Sequence, residues 1–408
     1  MKKILILAVL IVLFVSSCGT KQDKEIVITW WHFWTDTGIK PVVQEIVSDF
    51  ETSHPGVRVE LVDLTWADGH DKIAIAFSSG TGPDVVELGS DWIPEFSTTG
   101  HLLDLTSRTD ALRSEYLMWE PGQIGDSYYA FPWILGTRVL FSNNELLTSA
   151  GYSPEYYPGY WNEWLTACQR VDALGDDIYG FGSNSAERHR LYKKFLPFLW
   201  SNGGRILSNA GTRCVLDSDK AVEALEFYLK LSETGLIDTQ RRLEDAFLEG
   251  KIGFIISGDW LLKRIEKERP ALAFSTQLIP APDTLAQSIS FAGGEYLCVN
   301  SKSKHFDMAF ELIKHICSPE NQLKFCKQNR TPTPASLIAA SHESFAGQLH
   351  YDTFFAQLQT SKMPPAHPKW VYIEAALEKA IEKALYKTET PRQALKTATQ
   401  IINEQLLK

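Results

Sequence analysis

Cysteine is scarce and unpatterned: six occur in 408 residues, with no C-x-x-C pair. Beyond Cys18 the five others, at 168, 214, 298, 317 and 326, are an odd number at scattered positions, which favours buried free thiols over a disulfide framework. No basic cluster interrupts a chain whose net charge is -10, so nucleic acid is not expected as a partner. His32, His54 and His70 lack metal-ligand spacing, and His189 has no second histidine or cysteine near it, so neither a metal nor another cofactor is expected. After residue 18 no apolar run reaches membrane length, and no internal repeat or low-complexity tract appears. What remains is a 44% hydrophobic, 22% charged composition, that of a globular protein, with a high count of twelve tryptophans.

The first eighteen residues stand apart. Lys2 and Lys3 precede twelve uninterrupted apolar residues, Ile4 to Val15, too few to span a bilayer but suited to a signal-peptide core. Val15-Ser16-Ser17-Cys18 follows and resembles a bacterial lipobox, whose cysteine becomes the lipidated first residue; the alternative is an ordinary signal peptide with a chance cysteine. Residues 18–25 read as a lipidated tether. The remaining stretch of about 390 residues is too long for one ordinary core and implies two domains.

The stretch Ile26 to Asp36, I-V-I-T-W-W-H-F-W-T-D, organises the chain. It starts as a β-branched strand and runs into a short loop carrying Trp30, Trp31, Phe33 and Trp34. A strand apolar on both faces suits a parallel sheet covered by helices, where ligands bind beyond the carboxyl ends of the strands. Helical periodicity over Ile39–Glu51, alternation over Val57–Leu64, a helix over Asp68–Ser78, a strand over Asp84–Leu88 and a short helix from Asp91 give a β-α-β-α-β order with right-handed crossovers. Tyr128–Asn143 reads as two strand-like runs bent at Gly136, and Ile289–Val299 passes through Gly293-Gly294 in the same manner. Between them lie helices over Trp161–Leu174, Arg190–Trp200, Ser218–Thr234, Leu243–Glu249 and from Trp260 to Glu268, with strands at Tyr179–Phe181, Ile252–Ser257 and Ala271–Ile279. Helices over Asp307–Cys317, from Pro319, and over Tyr372–Leu385 and Thr390–Leu407 complete the chain. The pattern implies an α/β protein of two lobes with a cleft between them.

Several segments match one family in order: W-W-H-F-W; G-P-D-V-V-E-L-G-S-D-W-I-P-E-F; Y-A-F-P-W-I-L-G-T-R-V-L-F-S-N-N-E-L-L; F-L-P-F-L-W-S-N-G-G; E-G-K-I-G-F-I-I-S-G-D-W; F-A-G-G-E-Y-L-C-V-N-S-K-S-K; S-P-E-N-Q-L-K-F; and K-W-V-Y-I-E. With them the mature chain resembles the extracellular sugar-binding proteins of bacterial ABC transporters, the group containing maltose- and maltodextrin-binding proteins. The resemblance implies a two-lobed periplasmic-binding-protein fold (type II) whose hinged lobes close over the ligand. The expected N-terminal lobe is 26–135 plus 296–342, the C-terminal lobe 141–288 plus 343–408, with hinge crossings near 136–140 and 289–295. It also implies a monomer without enzymatic activity. Such a protein is exported, lipid-anchored through Cys18 to a membrane facing the periplasm or the outside, and delivers a carbohydrate to permease subunits driven by a cytoplasmic ATPase.

Sugar recognition needs aromatic platforms for the C–H faces and carboxylates, amides or arginine for the hydroxyls. By resemblance, Trp34 and Thr35 present the first loop to the ligand, with His32 either a contact or a hydrogen-bonded structural histidine. Trp30 reads as core, Trp31 is open, and Asp84 reads as structural. Asp91 matches an acidic sugar contact or caps the short helix, with Trp92 beside it. Arg138 would bridge hydroxyls through its fork of donors or pair with a carboxylate. Trp260 matches a G-x-W position facing the cleft, and Asp259 is either a helix cap or a ligand. Gly294, Glu295 and Tyr296 lie at the second crossing, Trp370 matches a stacking position, and Tyr192 completes the set.

Two other functions compete. A lipid-anchored glycoside hydrolase needs two carboxylates at a set separation, and Glu87, Asp91 and Glu295 supply the residue types without a pairing. A binding protein for glycerol phosphate needs a helix N-terminus with basic groups, and basic residues near the expected cleft are few.

Overall fold

A computed structural model describes residues 25–329, 333–345 and 349–406. The signal segment, Cys18 and most of the tether lie outside the described residues.

The chain opens with β1 (Ile26–His32), α1 (Lys40–Ser53), β2 (Val57–Asp63), α2 (Gly69–Ser79), β3 (Val85–Gly89) and α3 (Ile93–Thr98). β1 pairs in parallel with β2 and with β3, as the β-α-β-α-β order requires. β1 is longer than its β-branched start, so Trp30 and Trp31 lie in the strand rather than in a loop. Trp30 is buried against Trp133, ring centroids 5.8 Å apart. Every residue of β3 is buried. Asp84, just before it, accepts from the backbone N and Oγ of Thr29, which ties the strands together.

β4 (Phe131–Thr137) and β5 (Val139–Asn143) follow, separated by Arg138 alone. Gly136 is paired within β4, opposite Gly293, and no bend falls on it. Then come α4 (Trp161–Asp172), β6 (Tyr179–Asn184), α5 (Leu191–Ser201), α6 (Asp219–Ser232), β7 (Gly235–Asp238), α7 (Gln240–Leu248), β8 (Ile252–Ser257), α8 (Trp260–Glu268) and β9 (Phe274–Gln277). The chain returns as β10 (Ala292–Val299), α9 (Phe306–Ile316) and α10 (Pro319–Asn329), and ends with α11 (Leu349–Gln359), α12 (Trp370–Leu385) and α13 (Pro391–Leu406).

Two five-stranded sheets result, ordered β2-β1-β3-β10-β4 and β9-β5-β8-β6-β7. Each carries its own helices and core. In the second lobe Trp164 stacks on Phe198, and Phe198 meets Tyr228 edge-on. The chain passes from the first sheet to the second at Arg138 and returns between β9 and β10. α11 packs on strands of both sheets, β4, β5 and β9. Two of the elements named above had no signal strong enough to read. β7 is a four-residue strand hidden behind the Gly235 helix stop, and α11 is weakly amphipathic because it packs on both sheets. The five cysteines of the described residues are free and buried.

Candidate functional site

Three elements deliver the site from the second lobe. Gly258-Asp259 turns β8 into α8 and places Trp260 at the first helical position. A Cβ at Gly258 would stand 2.0 Å from the Trp260 ring, so a larger residue there would push the indole out of this position. The indole Nε1 donates to Glu244 Oε1 at 2.6 Å. Glu244, buried on α7, also accepts from Gln240 Nε2 at 2.6 Å, Ser257 Oγ at 2.9 Å and Arg264 Nη1 at 3.1 Å. Arg138, between the sheets, lays its guanidinium over the Trp260 ring, 4.5 Å from the centroid, and 5.4 Å from that of Phe291. Its Nη1 reaches only the Thr137 carbonyl, at 3.1 Å, and its buried Nε has no hydrogen-bond partner. Burial lowers the Arg138 pKa against the pull of Asp259 and Glu295.

The first lobe answers with Glu295 on β10, opposite Gly89 at a register shift between 295 and 296. Burial and then the neighbouring Asp259 push its carboxyl up to about 7, against Arg138 and Lys193. The preceding Gly294 lets the strands close up, since a Cβ there would stand 2.5 Å from the Ile134 carbonyl. Its own carbonyl accepts from Ser90 N at 2.9 Å. Asp259 and Glu295 both act on the charge of Arg138, which lies against the Trp260 face.

A second junction joins the lobes farther along. The Tyr192 hydroxyl donates to Asp91 Oδ2, and Lys193 Nζ lies 3.4 Å from the same oxygen. Burial opposes the Asp91 carboxylate, but Lys193 and Tyr192 outweigh it and hold its pKa below the usual value. Arg188 grips Asp71 through two bonds of 2.8 and 3.1 Å, and the His189 ring packs edge-on against Trp92 at 5.5 Å. Burial and then Arg188 hold the His189 pKa down to about 4. The described lobes are thus closed on each other.

Not every expected site residue faces this cleft. His32 is wholly buried at the end of β1, accepts from Trp34 N at 3.2 Å and has its pKa lowered by burial to about 4. Trp92 is 1% exposed and packed among Phe33, Trp66 and His70. Tyr296 is wholly buried and donates to the Met118 carbonyl at 2.7 Å. Trp370 is 1% exposed and stands edge-on against Tyr192 at 5.5 Å, in the core of the second lobe. Trp34 is half-buried, held edge-on by Phe325 at 4.7 Å, while Thr35 is exposed. Asp259 precedes α8 without a side-chain cap.

Sequence reasoning missed Lys193, Lys194 and Glu244, and named Glu87 only among the carboxylates of a hydrolase. Lys194 donates to the Ile256 carbonyl at 2.8 Å and lies 5.7 Å from the Trp260 ring; burial and then Arg138 lower its pKa strongly. Paired lysines inside the apolar run L-Y-K-K-F-L were the available signal. With Arg138 they correct the expectation that basic residues near the cleft are few. Glu87 is wholly buried beneath Trp34, accepts from Phe33 N at 3.1 Å, and is raised by burial and then by Glu295. Among the described residues no cluster of histidine, cysteine and carboxylate is placed to hold a metal, and no helix is long and apolar enough to cross a membrane.

Residues 35–323 match the bacterial extracellular solute-binding protein family. The chain belongs to that family. The galactooligosaccharide-binding protein of Bacillus subtilis is 23% identical, over 97% of this chain and 94% of its own. A maltooligosaccharide ABC transporter solute-binding lipoprotein of Streptococcus pneumoniae is 20% identical, over 80% and 76%. Among solved structures, an ABC transporter solute-binding protein of Thermotoga lettingae bound with α-D-tagatose superposes with a TM-score of 0.85, at 22% identity, over 93% of this chain and 100% of that one. That likeness fixes the fold of this family member as the two-lobed periplasmic-binding-protein architecture.

Proposed function

We propose that this solute-binding protein captures a carbohydrate between its lobes and delivers it to the permease of an ABC importer. The observation that carries this reading is the half-buried Trp260 face with Arg138, Asp259 and Glu295 around it. An indole suits the C–H face of a pyranose, and acceptors and donors suit its rim of hydroxyls. The relatives and the solved neighbour named above are described as sugar-binding, which agrees. Contacts are assigned to Trp260, Arg138, Asp259, Glu295 and Gly294, with Trp34, Thr35, Asp91 and Tyr192 at the edges. The lobes are taken as 26–135 with 296–342 and 141–288 with 343–408, turning about 136–140 and 289–295. Export and a lipid anchor on Cys18 fit the extracellular family and the lipoprotein relative; Cys18→Ala would then release the protein from the membrane fraction. The reading is one of binding without chemistry.

A thermal-shift panel of mono- and oligosaccharides tests it, because a solute bound only by the native state raises stability by mass action. A carbohydrate should raise the melting temperature. A panel in which only phosphate esters or amino compounds do so rejects the carbohydrate.

A further inference from the structure

The two ends of the cleft differ. At the Asp91–Tyr192 end the lobes touch directly. Past Trp260 they part around a cavity of about 1000 Å³ lined by Lys263, Lys267, Lys324, Lys327, Glu45 and Glu266, among others. On its wall Lys263 Nζ lies 3.6 Å from Asp36, two residues beyond Trp34, and 3.4 Å from Asn329 on α10. Trp260, Lys263 and Lys267 stand at i, i+3 and i+7 of α8, one face reaching about 10 Å beyond the indole. Lys324 and Lys327 stand at i and i+3 on α10, in the first lobe.

The charge balance is local and opposite to that of the molecule. The chain has 40 basic and 50 acidic residues, while this cavity has four lysines against two glutamates. Lys324 is neutralised by Glu45 at 2.9 Å and Asp49 at 3.3 Å, and Lys263 leans on Asp36. Lys267 and Lys327 make no ion pair with any described residue. Two ammonium groups thus share one concave space without an ion pair of their own among the described residues, and an anion entering it would be favoured by both.

Resting on the carbohydrate reading above, we infer that the solute is an acidic oligosaccharide, with one ring on Trp260 and uronate or sulfate groups extending into the lysine-lined cavity between α8 and α10. A ligand with its charge near Lys267 and Lys327 gains attraction from two partly exposed ammonium groups, worth about tenfold in affinity.

The test is calorimetric titration of the mature chain with paired neutral and uronate oligosaccharides of glucose, galactose and mannose stereochemistry. The uronate member of the best pair should bind about tenfold more tightly at low salt. That margin should shrink as salt shortens the Debye length below about 10 Å, and it should vanish in a Lys267→Gln/Lys327→Gln double variant. Equal affinities within every binding pair, or a margin untouched by the double variant, overturn this inference and leave the carbohydrate reading standing. Failure of both members of all pairs to bind overturns the two together.

Discussion

Trp260 Nε1 and Glu244 Oε1 are 2.6 Å apart, and this bond decides which way the aromatic face points. Glu244 is itself fixed by Gln240, Ser257 and Arg264, so the indole is oriented by a buried network rather than by its half-exposed ring. Trp260→Ala should weaken solute binding by about 2 kcal/mol or more while the fold persists. Titration calorimetry beside thermal melting separates the two; unchanged affinity removes Trp260 from the site.

Glu244→Ala should behave differently. Arg264 is largely buried and would lose its Glu244 contact, although Glu268 still holds it at 2.9 Å. Breaking a buried charge pair costs about 3–5 kcal/mol, and these remaining partners place the expected loss at or below that range. The melting temperature should therefore fall along with affinity. Glu244→Gln keeps an acceptor for the indole and should recover affinity before it recovers stability, since the charge facing Arg264 is still missing.

Glu295 gives the lobes a pH dependence whose sign follows from its environment. Its carboxyl titrates at about 7 in the folded protein against an ordinary 4.5, so the native state holds the proton more tightly than the unfolded chain. Its contribution is complete below pH 4.5 and disappears as pH rises through about 7. The shift corresponds to at most about 3 kcal/mol. Glu378, also raised to about 7 by burial and then by Glu374, titrates over the same range. Only the difference between the native protein and Glu295→Gln isolates Glu295. Melting temperatures measured from pH 5 to 8 should decline less steeply in the variant; identical slopes would show that Glu295 is not the titrating group.

Most of the architecture was legible because each element carries its own period. The β-branched start of β1, the buried run of β8 and the amphipathic face of α6 are local signals, and their order implies parallel pairing. β7 and α11 were hidden for the opposite reason: four residues beside a glycine stop, and a helix packed on two sheets, have no one-sided pattern. The candidate site was legible where a backbone device marked a position, as at Gly258 and Trp260 or Gly294 and Glu295. It was illegible where function depends on distance in the fold. Nothing local to Glu244 announces an indole sixteen positions away, and nothing in Tyr296 tells that its neighbour, rather than itself, faces the cleft.

The Tyr192 hydroxyl on Asp91 joins the lobes directly, at a carboxylate already held by Lys193. A hydrogen bond to a charged group is worth about 1.5–3 kcal/mol, so Tyr192→Phe should shift the lobes toward separation without unfolding the second. The ring would still pack on Phe291 at 6.1 Å and Trp370 at 5.5 Å. Solution scattering without solute should then report a larger radius of gyration for the variant. Affinity distinguishes two roles for the bond. If it persists beside the solute, binding in the variant must close the lobes without it, and affinity should fall about tenfold or more. That is the expected outcome, because the Trp260 platform and its polar partners lie beyond this junction. Affinity equal to or above that of the native protein would instead mean that the solute displaces Tyr192 from Asp91 and takes the place of that bond.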